Sequence, residues 1–167
     1  MSIENFLNDF DEQNKRIKEA KEKKQYEEAE KQMNNEQYLS DFQEYYEQQI
    51  ISELKEIQKK LAAKFEMEIP AEPISAQRAY FYKIKLIPNF EHYVEKVEVE
   101  IIAEGERRLI TLSGRAFGPE EKNIDYDGLH RFQDSLEKYK GLDLENEVTE
   151  ILNKIFLRKK PIAQHSI

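Results

Sequence analysis

Cysteine is absent from this 167-residue chain. That excludes disulfides, thiol nucleophiles and thiolate metal sites. Helix breakers are confined to its later part: the first proline is Pro70, and the five glycines are Gly105, Gly114, Gly118, Gly128 and Gly141. No run approaches the roughly eighteen apolar residues of a membrane span. The opening MSIENFLNDFDEQ has neither the basic n-region nor the apolar core of a secretory signal. A cytoplasmic protein without membrane contact is expected.

Charge is what the chain has in plenty. Charged residues make up 36% and hydrophobic ones 39%, against about 25% and 45–50% in ordinary globular chains. Much of the chain should therefore lie on exposed surface. With 9 Tyr and 9 Phe it is too aromatic to stay unfolded. The net charge of −8 repels phosphate backbones and argues against nucleic acid as the main partner.

The stretch before Pro70, rich in Glu, Gln, Lys and Leu, predicts uninterrupted helix. Ser2 is placed to cap it, with Glu4 favourable in the first turn. Residues 15–32 have few large apolar side chains and many Glu-to-Lys pairs at i,i+4, such as Glu19–Lys23 and Glu27–Lys31. From Leu39 an apolar stripe emerges: Leu39, Phe42, Tyr46, Ile50, Leu54, Ile57, Leu61, ending on Phe65. Its mean spacing near 3.7 exceeds the heptad value of 3.5, arguing against a left-handed zipper. One long helix is the preferred reading. The alternative is a helical hairpin folded at Met33-Asn34-Asn35, where Asn34 with Gln37 mimics a capping box.

Beyond the prolines of IPAEPIS, three runs alternate as strands do: RAYFYKIKLI, VEKVEVEIIAE and RRLITLSG. A two-residue turn at Gly105-Glu106 would set Ile101 against Ile110 and Val99 against Leu112, all on one apolar face. The opposite, wet face would carry Lys83, Lys85, Lys96, Glu98 and Glu100. Two helices are expected to follow: one capped by Asp127 with Leu129, Phe132, Leu136 and Tyr139 on its face, the other opening near Asp143 with Leu144, Val148, Ile151, Leu152 and Ile155. Arg158, Lys159 and Lys160 would complement the last helix before Pro161 stops it. The fold class is thus α+β, a long N-terminal helix on a three-stranded antiparallel meander followed by two C-terminal helices. The expected domains are residues 1–69 and 70–167.

Candidate chemistry is sparse. Asp125, Asp127, His130 and Asp134 could hold a hard divalent ion if His130 and Asp134 sit one turn apart on a helix. The bland alternative has Asp127 as a cap and the others on a solvated face, and it is the stronger; no metal or other cofactor is expected. His92 and His165 have no matched carboxylate or nucleophile nearby. Tyr80, Phe81 and Tyr82 suggest a stacking platform for single strands, but alternation turns Tyr80 and Tyr82 toward the core. No glycine-rich phosphate loop, GxSxG or HExxH occurs.

The expectation is a non-enzymatic interaction or assembly protein that self-associates as a homo-oligomer, most simply a dimer, through Leu39, Phe42, Tyr46, Ile50, Leu54, Ile57 and Leu61. A helix over residues 39–65 spans roughly 40 Å, whereas three strands are about 15 Å wide. Part of the stripe, together with Phe6, Leu7 and Phe10, would overhang. The runner-up is a ligand-binding or catalytic domain with its pocket near Tyr80, Tyr82 and His130; a nucleic-acid-associated protein ranks third.

Overall fold

A computed structural model describes residues 2–157, so Arg158, Lys159, Lys160, Pro161 and His165 lie outside the described residues. The chain divides into two compact units between Gln37 and Tyr38. Helix α1 runs from Ile3 to Tyr45 without a break at Asn34-Asn35, so the hairpin alternative is not adopted. Ser2 caps it, its Oγ accepting from the Asn5 amide at 3.2 Å. In the first unit α1 carries large apolar side chains that are exposed, among them Phe6, Leu7 and Phe10.

The second unit holds the core. After Tyr45 the helix makes a π turn, Tyr46–Ile50, and continues as α2, Ile51–Leu61. This turn explains the stripe's long spacing. Steps of four drift by about 40° each around a 3.6-residue helix, which would put Phe42 and Leu54 about 120° apart. The i→i+5 bond from the Ile51 amide to the Tyr46 carbonyl takes up the surplus. Phe42, Tyr46, Ile50 and Leu54 are all fully buried as a result.

The sheet is broader than expected. Seven strands replace the three: β1 (Phe65–Glu68), β2 (Ile74–Ala76), β3 (Ala79–Pro88), β4 (Lys96–Glu104), β5 (Leu109–Phe117), β6 (Asn123–Ile124) and β7 (His130–Asp134). Both β1 and β2 pair with β3, β4 joins β3 to β5, and β6 and β7 both pair with β5. The three long strands are those the alternation predicts; the four short ones extend them at both margins. Phe65, read as the end of the helical stripe, opens β1.

Between β4 and β5 the predicted two-residue turn is a four-residue loop, 105–108, in which Arg108 takes φ 53. Ile101 therefore faces Leu112 and Val99 faces Gly114. That register differs from the expected one by two residues, and because strand side chains alternate with period two the faces are unchanged. Val99, Ile101, Ile110 and Leu112 are all fully buried.

The opposite face is less wet than expected. Glu98 and Glu100 are 7% and 4% exposed, because β4 is central. Lys85 and Arg115 flank Glu98, and Lys83 and Ser113 flank Glu100, so aliphatic stems shade the carboxylates. Thr111, on this same face, is 8% exposed, and its hydroxyl has no hydrogen-bond partner among the described residues. Ile110→Ala should cost about 2–5 kcal/mol. Thr111→Val removes only an unsatisfied hydroxyl and should be neutral or slightly stabilising. Urea midpoints of the two variants test this pair; equal losses at both positions would overturn the assigned faces.

The segment read as a helix from Asp127 forms β7 instead, and helix begins only at α3, Leu136–Tyr139. Ser135 is the actual cap, accepting from the Lys138 amide at 3.3 Å. Leu129, Phe132, Leu136 and Tyr139 fit a helical spacing, but the open edge of β5 offers residues 130–134 ladder hydrogen bonds, and tertiary pairing overrides the local pattern. Asp143 caps α4, Leu144–Leu152, as expected, accepting from Asn146 N at 3.1 Å. A second π turn, Asn153–Leu157, follows. Among the described residues no helix is long and apolar enough to cross a membrane.

Candidate interaction surfaces

The stripe residues Leu39, Phe42, Tyr46, Ile50, Leu54 and Ile57 are buried in the second unit's own core, and Leu61 is half-buried. Strand β3 and helix α3 supply the ring partners of Phe42 and Tyr46. Phe42 stands edge-on to Tyr82 and Tyr139, with ring centroids 5.7 and 6.0 Å away. Tyr46 stacks on Tyr82 at 3.9 Å and donates its hydroxyl to the Pro70 carbonyl at 2.6 Å. Burial raises the pKa of all three tyrosines; nearby Glu53 raises that of Tyr139 further, and Tyr46 that of Tyr82. These phenols are neutral packing groups at ordinary pH.

The structure does not gather the candidate metal ligands. His130 and Asp134 lie four positions apart along β7 rather than on one helical turn, which separates their Cα atoms by about 13 Å instead of about 6 Å. Asp134 accepts from the Ser135 amide at 2.7 Å, and Asp125 and Asp127 are exposed. Among the described residues no three His, Asp or Glu side chains form a group that could hold a metal ion. Tyr80, Tyr82 and His130 lie on β3 and β7. His130 pairs with Ser113 beside a register shift between β5 and β7, and Tyr82 pairs with Ile101 on the buried face. Arg107 is held by Glu104 through two hydrogen bonds of 2.7 and 2.8 Å.

Among the described residues, two groups of apolar side chains form exposed surfaces. The first is on α1, where Ile3, Phe6, Leu7, Phe10 and Ile17 are 78%, 56%, 50%, 49% and 52% exposed. Spaced three, one, three and seven residues apart, they share one helical face. Phe6 and Phe10 stack at 6.0 Å.

The second is a groove of about 590 Å³ in the second unit, floored by Leu61, Phe65, Phe90, Leu152 and Phe156 and rimmed by Lys64 and Leu157. Phe65, Phe90 and Phe156 meet mutually edge-on with centroids 5.4–5.7 Å apart. The His92 ring closes the cluster 4.8 Å from Phe156, and its Nδ1 accepts from the Val94 amide at 3.0 Å. The last helix thus has two apolar rows. Val148, Ile151 and Ile155 face the core, while Leu152 and Phe156 face the groove. The sequence holds a signal for that second row, since Leu152 and Phe156 are one turn apart. Nothing local announces that Phe65 and Phe90 join them. No protein-family model matches the chain, and neither a curated protein nor a solved structure matches it.

Proposed function

We propose that this is a non-enzymatic interaction or assembly protein that self-associates through its N-terminal helix. The observation that carries the reading is the exposed row Ile3, Phe6, Leu7, Phe10 and Ile17. A soluble chain gains nothing by holding five large apolar side chains on one helical face in water, so such a row marks a contact surface. Each contributes on the order of 100 Å². Covering one row with a partner surface of equal area would remove about 1,000 Å² in all, near the lower limit for a specific interface.

A second copy is the favoured partner because homo-oligomers are the common use of such surfaces. Tyr46, Tyr82 and Tyr139, whose phenol pKa values burial pushes up, are packed in the core. Light scattering of the full chain at tens of micromolar should give at least twice the 20.0 kDa chain mass. The double variant Phe6→Glu, Phe10→Glu should give the single-chain mass with unchanged helix content, since Glu is a good helix former. A wild-type chain that stays at 20.0 kDa overturns the reading.

A further inference from the structure

We infer that the surface receiving the N-terminal row is the Leu61, Phe65, Phe90 and Phe156 groove of a second copy, so that the chain associates head to tail. This rests on the self-association reading and names the site on the partner.

Chemistry selects the occupant. The groove is apolar, and among the described residues that line it Lys64 alone is charged; Lys64 makes no ion pair among the described residues. The segment that bears Phe6, Leu7 and Phe10 also bears Glu4, Asp9, Asp11 and Glu12, and has no basic residue before Lys15. Its apolar row meets the aromatic floor while its acidic flanks meet Lys64. The chain's own residues 158–167 are the other candidate, but they open with Arg158, Lys159 and Lys160, the same sign as Lys64. A volume of about 590 Å³ lies within the range of sites that enclose ligands, roughly 300–1,000 Å³, and suits the side chains of one helical turn or two.

The two surfaces differ, so the contact is heterologous and leaves a free groove at one end and a free row at the other. It therefore grows into rings or filaments instead of stopping at a two-fold dimer, and wild-type mass should rise with concentration.

Two variants of the full chain test this. Phe6→Glu with Phe10→Glu removes the row. Lys64→Glu with Leu157→Glu reverses the groove's charge and places a second carboxylate on its rim, where Leu157 is 76% exposed, so the fold is kept; matching thermal melts verify that. Each variant alone should fall to 20.0 kDa. Mixed one to one, they should pair at twice that mass and stop, because only one intact row and one intact groove remain. If the wild type associates and the groove variant associates equally well, the head-to-tail proposal fails while self-association stands. A mixture that stays monomeric also overturns the proposal, since an intact row and an intact groove would then not suffice. A monomeric wild type removes the parent reading and this proposal together.

Discussion

Phe42→Ala is expected to destabilise the second unit by about 3–5 kcal/mol, a large part of the 5–15 kcal/mol that holds a domain together. Phe42 is fully buried. It stands edge-on to Tyr82 and Tyr139, at interplanar angles of 63° and 76°. Removing the ring leaves a cavity between elements that cannot close over it, because Tyr82 is fixed in the central part of β3 and Tyr139 at the end of α3. A guanidinium titration followed by circular dichroism reads the loss directly. The same variant separates two roles for the residue. A core role lowers stability; a surface role would spare stability and lower the native mass. A loss below about 1 kcal/mol would place Phe42 outside the core.

Alkaline unfolding should be abrupt. Tyr46, Tyr82 and Tyr139 are held neutral by burial, their pKa values raised above the ordinary phenol value. In the unfolded chain phenols ionise near pH 10. The stability tied to the raised values is fully present below that pH and is lost as pH climbs toward the folded-state values. Each group removes about 1.4 kcal/mol per pH unit above 10. Three together remove about 4 kcal/mol per unit, enough to exhaust a typical domain stability within a few units. Tyrosinate absorbance and far-ultraviolet dichroism recorded in one titration should show these three phenols ionising in step with the loss of secondary structure. Ionisation of all nine tyrosines while the fold persists would show that solvent reaches the rings.

The parts of this fold legible in the sequence are those with long, uniform patterns. The glycine- and proline-free stretch predicts α1 and α2, alternation predicts β3, β4 and β5, and Asp143 marks the start of α4. Short elements escaped because their signals are as short as they are. The turn between β2 and β3 consists of Gln77 and Arg78 with φ 50 and 60, a left-handed pair that normally advertises itself as Asn-Gly. Here it is silent. Strand β7 was hidden by apolar residues that happen to fit a helical spacing. Leu39, Phe42 and Tyr46, expected to overhang in part, are buried, with Tyr82 of β3 and Tyr139 of α3 against Phe42 and Tyr46. The groove was illegible for a different reason. Phe65, Phe90 and Phe156 come from β1, the β3–β4 loop and the last turn, and only folding brings them together.

Helix α4 packs Val148 and Ile151 into the core of the second unit. Ile151 lies so close over β5 that a Cβ at Gly114 would come within 2.7 Å of its Cγ2. Glu147 receives Arg131 of β7 at 2.7 Å. A chain made from its N-terminus can pair all seven strands before residues 144–157 leave the ribosome. Until they do, Gly114 of β5 lacks the cover that Ile151 supplies. Synthesis therefore passes through a stage with a finished sheet and an open apolar face, the kind of surface that recruits chaperones or neighbouring nascent chains. Truncation just short of Leu144 would fix the second unit in that state, so residues 144–157 decide whether the paired sheet is a folded product or an aggregating one.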